Sequence, residues 1–321
     1  MNIGVIGYGR HSSAKLYPAF LLAGAKISCV LTRSLASAQK AATALAADRY
    51  YDDIDKMLAA EELDAVVICV EPEDQAPLTR RCVQAGVAVF VEKPLGMSAD
   101  EARLLSDAVD ESGVPVMVGF MKRFAPAYQR LAELIADRER FGRILTVDAS
   151  FSFAPWTTEL RVGSFLQQGA IHMLDILLAT FGSATVVAGH SNSAESDIGL
   201  AYTLRFADGA VASVTLSASQ ARASTFENVS VTGTKGWAEA DNLGCVNYRF
   251  GHQDGALCEQ WDTHAHVPDE TEHARALCKE GFYGEAKHFL QSLAANETPR
   301  SSAAENIATM RLCDEMIEIV L

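Results

Sequence analysis

Asn2-Ile3-Gly4-Val5-Ile6-Gly7-Tyr8-Gly9-Arg10-His11-Ser12 runs from a short apolar strand into a glycine turn. Ser13 to Ala23 follows as a helix and ends at Gly24. Gly7 permits the tight turn, and Gly9 lets backbone approach a bound group closely. A strand, a glycine turn and a helix amino terminus in this order suit a pyrophosphate, which the helix amides can hold. The third glycine of the usual pattern is Ser12 here, still small enough for close helix–strand packing. The plainer alternative is a tight turn with no ligand. Pro18 falls in the first helical turns, where a missing N–H costs least.

Outward from this turn the chain alternates strand and helix as far as residue 118. Strands are expected at 26–31, 50–51, 65–70, 87–91 and 114–118, and helices at 34–47, 53–60, 73–85 and 98–111. Ser98 caps the last of these helices, and Glu101 completes a capping box. Ala65 to Val70 and Val87 to Val91 are unbroken apolar runs, as strands buried on both faces must be. The alternation implies a doubly wound parallel sheet, the Rossmann arrangement, over residues 1–119.

Ligands of such sheets bind beyond the carboxyl ends of the strands. Glu92-Lys93-Pro94 lies at one such end. The lysine follows an apolar strand, yet its ammonium must be solvated or paired. Either it snorkels to water or it points into a ligand crevice. At the end of the second strand stands Leu31-Thr32-Arg33-Ser34, where an NAD site places an acid for the ribose hydroxyls. A guanidinium flanked by two hydroxyls suits a 2′-phosphate instead, so NADP(H) is favoured over NAD(H). An exposed loop arginine without a ligand is the competing reading. The candidate cofactor residues are Gly7, Gly9, Arg10, His11, Ser12, Thr32, Arg33, Ser34, Val70, Glu71, Pro72, Glu92, Lys93 and Pro94.

The whole chain has 321 residues, enough for two domains with ample core. Its net charge of −14 argues against nucleic acid and anionic membranes as partners. The first residues carry no basic leader, and no apolar run is long enough to span a bilayer. Seven scattered cysteines without a CxxC pair fit reduced thiols and a cytoplasmic location.

Beyond Phe120 the pattern changes. A helix is expected at 126–136, then alternating strands at 143–153, 184–193, 199–206, 210–218 and 226–232. Asp208-Gly209 signals a hairpin, and Lys235-Gly236 a further turn. A large, open, mainly antiparallel sheet with helices at 284–295 and 302–320 makes an α+β domain over 120–321. Residues 251–280 read as a polar loop. One helix, from Gln168 through His172 and Asp175 to Gly182, carries chemistry. At helical spacing Gln168 and His172 share a face. Asp175 either orients His172 or makes a separate structural bond. His172 is either a satisfied core histidine or an acid/base. His264 and His266 suggest a metal only weakly, since no third ligand is evident, and no metal is expected.

Gly7-Tyr8-Gly9, Glu92-Lys93-Pro94, Val118-Gly119-Phe120 before Arg123-Phe124, and Gly169…His172…Asp175 occur in one order and spacing. In this the chain resembles the glucose–fructose oxidoreductase / inositol dehydrogenase (Gfo/Idh/MocA) family over nearly its whole length. The resemblance implies an NADP(H)- or NAD(H)-dependent oxidoreductase acting on a sugar, polyol or keto-sugar. It implies Lys93 beside the nicotinamide and the substrate hydroxyl, often before a cis proline, and His172 as acid/base. Arg123 and Gln168 join Lys93 and His172 as substrate residues. The second sheet is implied as the interface of a homodimer or homotetramer. The family's aspartate four residues before the histidine is Gln168 here. An amide cannot take a proton, which leaves proton transfer to His172, Lys93 or a water. With Met121 at an often polar position, Gln168 points toward a ketone or a less polar substrate. Two other activities stay open within the resemblance: a dinucleotide sensor without turnover, and redox-assisted glycoside cleavage.

Overall fold

The computed structural model describes residues 1–194, 197–219, 224–251, 258–267 and 271–321. The chain divides into two compact units: Met1–Phe120 with Phe282–Met310, and Met121–Gly281 with Arg311–Leu321.

The first unit contains strands β1 (Asn2–Ile6), β2 (Lys26–Leu31), β3 (Arg49–Tyr51), β4 (Ala65–Ile68), β5 (Ala88–Glu92) and β6 (Val116–Gly119). Its early helices are α1 (Tyr17–Leu22), α2 (Leu35–Leu45), α3 (Ile54–Ala60), α4 (Pro72–Gln84) and α5 (Ala99–Ser112). The six strands are parallel in the order β3-β2-β1-β4-β5-β6. Strand order reverses between β1 and β4, which opens a crevice at their carboxyl ends. Val5, Val66, Val67, Val89, Phe90 and Val91 are wholly buried, as the unbroken apolar runs require.

Local polar groups set the helix starts. Ser34, Asp53 and Ser98 each accept backbone N–H bonds as N-caps. Glu101 reaches Met97 N at 2.8 Å instead of the cap residue's own amide, a variant of the expected box. The first helix also departs from expectation. Ser12–Leu16 is a π turn, with Tyr17 N donating to Ser12 O, before α1 begins. Pro18 has no N–H to give to the residue four back, and the wider turn accommodates it.

The second unit holds β7 (Ile144–Phe153), β8 (Ala184–Ser191), β9 (Ile198–Phe206), β10 (Val211–Ala218), β11 (Phe226–Gly233), β12 (Gly236–Asp241), β13 (Cys245–Phe250) and β14 (Glu259–Asp262). Its helices are α6 (Pro126–Ala136), α7 (Arg138–Phe141), α8 (Val162–Ser164), α9 (Ile171–Phe181) and α10 (Glu272–Glu280). The sheet runs β14-β13-β12-β11-β7-β10-β9-β8. It is antiparallel apart from one pair, β7 with β10. On β9, buried Leu200, Tyr202 and Leu204 alternate with exposed Ala201, Thr203 and Arg205, so one face is covered and one is open. Residues 251–280 are not one loop. They include β14, a 3-10 turn at Thr263–His266 and α10, capped by Thr271, while 252–257 and 268–270 lie outside the described residues. β14 is a polar strand at the sheet's edge, and its Glu-Gln-Trp-Asp sequence carries no strand signal.

Two late helices, α11 (Phe282–Ala295) and α12 (Ala303–Val320), complete the chain. The division read from sequence put residues 282–310 in the second domain, but they pack with the first unit. Phe289 sets its ring against Phe20 and Phe90 at 6.2 and 5.7 Å. Ser301 brackets the outer strand, accepting from Val118 N and donating to Val118 O at 2.8 Å each. Burial of Phe289 and satisfaction of the β6 edge draw this segment back.

Candidate active site

The glycine turn is built for close approach. Gly7 has φ +92°, and a Cβ there would drive into the Cys69 carbonyl at the end of β4. Gly9 faces open space, with nothing within 4 Å of where its Cβ would be. Ser12, wholly buried, folds its hydroxyl back on the turn: Oγ accepts from Gly9 N at 2.9 Å and donates to Gly9 O at 3.2 Å. Tyr17 Oη donates to the carbonyls of Gly7 and Ile6 from beneath. Burial, with Cys69 and Glu92 nearby, raises the Tyr17 phenol well above its ordinary range, so it stays a neutral donor. Sequence reading missed Tyr17. Its signal was a tyrosine ten residues after the first glycine, and that is too general to single out. A tight turn with room over Gly9 fits a pyrophosphate.

At the end of β5, Glu92 is buried and holds His11 Nε2 at 3.0 Å. Its other oxygen accepts from Lys93 N at 3.2 Å. Burial pushes the Glu92 carboxyl up, but the hydrogen bond and charge of His11, with Lys93, outweigh it and leave the group below its usual value. The Lys93–Pro94 peptide is cis. Burial lowers the Lys93 ammonium below its ordinary range, opposed by Glu92 and Cys69. Lys93 still keeps part of its surface open. Gln75, also buried, bridges Val70 O and Lys93 O at 3.3 and 3.5 Å. With its amide turned over, it donates to Glu92 O and Pro94 O. Either way it fixes the backbone of the lysine turn. Thus His11, Glu92, Lys93 and Pro94 gather at one edge of the sheet beside the glycine turn.

The second-strand residues divide in role. Thr32 Oγ1 donates to Ser34 O at 3.0 Å, and Ser34 caps α2. Arg33 is exposed and forms no ion pair among the described residues. Arg10 and Glu71 are exposed, Val70 is partly buried, and Pro72 opens α4.

In the second unit, Phe165–Ala170 is a π turn leading into α9. It carries Gln168, and His172 follows on α9. Asp175, wholly buried, makes the separate structural bond: Arg123 Nε and Nη2 grip its two oxygens at 2.7 and 2.6 Å. Arg123, expected to touch substrate, is 11% exposed in this pair. His264 and His266 lie on the 3-10 turn, where His266 stacks on Trp261 at 4.3 Å. Among the described residues no His, Cys, Asp or Glu cluster could hold a metal.

A parallel nucleotide-binding sheet, a glycine turn open over Gly9 after β1 and a lysine at the carboxyl end of β5 define a dinucleotide-dependent oxidoreductase class. Residues 1–120 match the model described as "Oxidoreductase family, NAD-binding Rossmann fold", and residues 128–239 match "GFO/IDH/MocA C-terminal domain". The chain belongs to the GFO/IDH/MocA family. It is 26% identical to "D-xylose 1-dehydrogenase (NADP(+)) 2" of Haloferax volcanii, over 99% of this chain and 97% of that one. It is 25% identical to "Inositol 2-dehydrogenase" of Rhizobium meliloti, over 100% and 97% of the two chains. Its fold superposes on a dehydrogenase of Chromobacterium violaceum with a TM-score of 0.87 at 22% identity, covering 100% and 95%. Relatives named for NADP(+) and for NAD(+) both occur. No helix among the described residues is long and apolar enough to cross a membrane.

Proposed function

We propose that the protein is an NAD(P)-dependent dehydrogenase or reductase of a sugar, polyol or keto-sugar, with Lys93 as its principal acid/base. The single observation that carries this is the lysine turn. Lys93 sits at the carboxyl edge of the nucleotide-binding sheet, its ammonium lowered by burial, its backbone held by Glu92 and Gln75. When bound, the nicotinamide supplies the hydride acceptor or donor. Lys93 Nζ holds the hydroxyl hydrogen of the substrate, stabilises the developing alkoxide and takes or returns the proton. His172 is proposed as the second acid/base, on the family's pattern. Gln168 orients a hydroxyl or carbonyl by hydrogen bonding without taking a proton. Gly7, Gly9 and Ser12 shape the pyrophosphate turn.

Arg33 supports the preference for NADP(H): an exposed guanidinium with no ion pair among the described residues suits a 2′-phosphate. The open face of β9 and β10, with exposed Thr203, Ser213 and Thr215, supports a homodimer or homotetramer through the second sheet. Seven cysteines outside any disulfide support a cytoplasmic setting.

Lys93→Met tests the central reading. Nucleotide binding should be retained and turnover should fall by roughly two or more orders of magnitude. Unchanged turnover removes Lys93 from the chemistry. A dinucleotide sensor is the second reading, favoured by the amide at Gln168. Nucleotide binding without turnover of any polyol, aldose or keto-sugar would establish it.

A further inference from the structure

Three aromatic rings stack in a column beside the start of the His172 helix. Phe165, wholly buried, lies 5.4 Å from Phe153 with planes 28° apart. Phe153 in turn stacks on Trp156 at 5.4 Å and 14°. Phe151 packs its edge against Phe153 at 5.5 Å. The base of the column is therefore core, yet its outer member, Trp156, is 48% exposed.

Gly169 sets where the column stands. A Cβ on Gly169 would lie 2.6 Å from the Phe153 ring and 3.3 Å from Trp156 Cζ3. Both rings thus rest against the backbone of the residue that follows Gln168 and precedes His172 by three. Leu160, 1% exposed, anchors the loop that presents Trp156. The tryptophan is held from one side and open on the other, beside two candidate substrate residues. Packing alone does not call for so large an exposed apolar ring here, because Phe165 and Phe153 already fill the interior.

We propose that Trp156 is a specificity-determining residue: a stacking platform for the apolar C–H face of a ring-form substrate, a pyranose or a cyclitol. Sugar rings carry hydroxyls at their rims and C–H groups on a face, and an ordered aromatic surface binds that face without the entropy of fixing a flexible side chain. Hydroxyls at the rim remain available to Gln168 and His172. An open-chain polyol has no such face, so it gains less from the platform. This inference rests on the dehydrogenase reading and adds the substrate's shape to it.

The test compares Trp156→Ala, Trp156→Phe and the wild type on D-xylose and myo-inositol against xylitol, with KM and kcat separated. The ratio of kcat/KM for ring over open-chain substrate should fall tenfold or more in Trp156→Ala, mainly through KM, and by less than threefold in Trp156→Phe. An unchanged ratio, or equal losses on both kinds of substrate, overturns the platform. If the wild type turns over none of them, the dehydrogenase reading fails separately. Ligand-observed NMR with methyl β-D-xylopyranoside and xylitol then decides the platform: ring-selective binding lost in Trp156→Ala sustains it, and equal binding by both proteins overturns it.

Discussion

Breaking the Arg123–Asp175 pair should unfold the second unit at markedly lower denaturant. Asp175 is wholly buried, and Arg123 offers it two hydrogen bonds in a fork. A hydrogen bond to a charged group contributes about 1.5–3 kcal/mol, and removing one partner of a buried pair costs about 3–5 kcal/mol. Arg123→Met leaves a carboxylate with no solvent access, whereas Asp175→Leu leaves a guanidinium that is 11% exposed. The arginine variant should therefore sit at the upper end of that range and the aspartate variant at the lower. The double variant should fall about 0.5–3 kcal/mol short of the sum of the singles. All three tryptophans, Trp156, Trp237 and Trp261, belong to the second unit, so urea unfolding followed by tryptophan emission reads that unit alone. Costs below about 1 kcal/mol for Arg123→Met, or additive singles, would refute the pair as an anchor of α9.

Three further outcomes are expected. Glu285 is wholly buried, and burial, reinforced by Glu92, raises its carboxyl well above the ordinary range. The folded chain then keeps a proton that the unfolded chain loses above about pH 4.5, so this group lowers stability as pH rises toward its folded value, by at most about 1.4 kcal/mol per pH unit. Glu285→Gln should flatten that decline in melting temperature across pH 5–8; a parallel profile in both proteins would show the carboxyl is not the cause. Gly7→Ala should abolish nucleotide binding and destabilise the first unit, since φ +92° and the Cys69 carbonyl both exclude a Cβ; calorimetry showing wild-type affinity would contradict the turn's role. Arg33→Ala should weaken NADP(H) binding about tenfold or more and leave NAD(H) nearly unchanged, as read by thermal shift, and a larger wild-type shift with NAD(H) would overturn the preference.

Much of the nucleotide-binding unit was legible because its signals are local. β4 and β5 are apolar up to Glu92 since both faces are covered, and Gly7 marks a turn that needs it. Ser34, Asp53 and Ser98 announced helices within three residues of themselves. What escaped depends on distant partners. Arg123 and Asp175 are 52 residues apart, so neither could be seen to occupy the other. Gln75 and Lys93 meet across two strand ends. The polar edge strand β14 lacks periodicity, because neither face of an edge strand must be fully buried. The π turns at Ser12–Leu16 and Phe165–Ala170 shift helical spacing by a residue, and residue type alone does not encode that shift.

The return of residues 282–310 to the first unit bears on how the chain is made. During synthesis the parallel sheet is complete by residue 119, but Phe289 and Ser301, which close it, are still far from emerging. Most of the second unit is translated first. The nucleotide-binding half should therefore wait through that synthesis, leaving Phe20 and Phe90 uncovered and in need of chaperone protection until the closing helix arrives. A fragment cut at residue 120 would keep every strand of that sheet and still lack its seal.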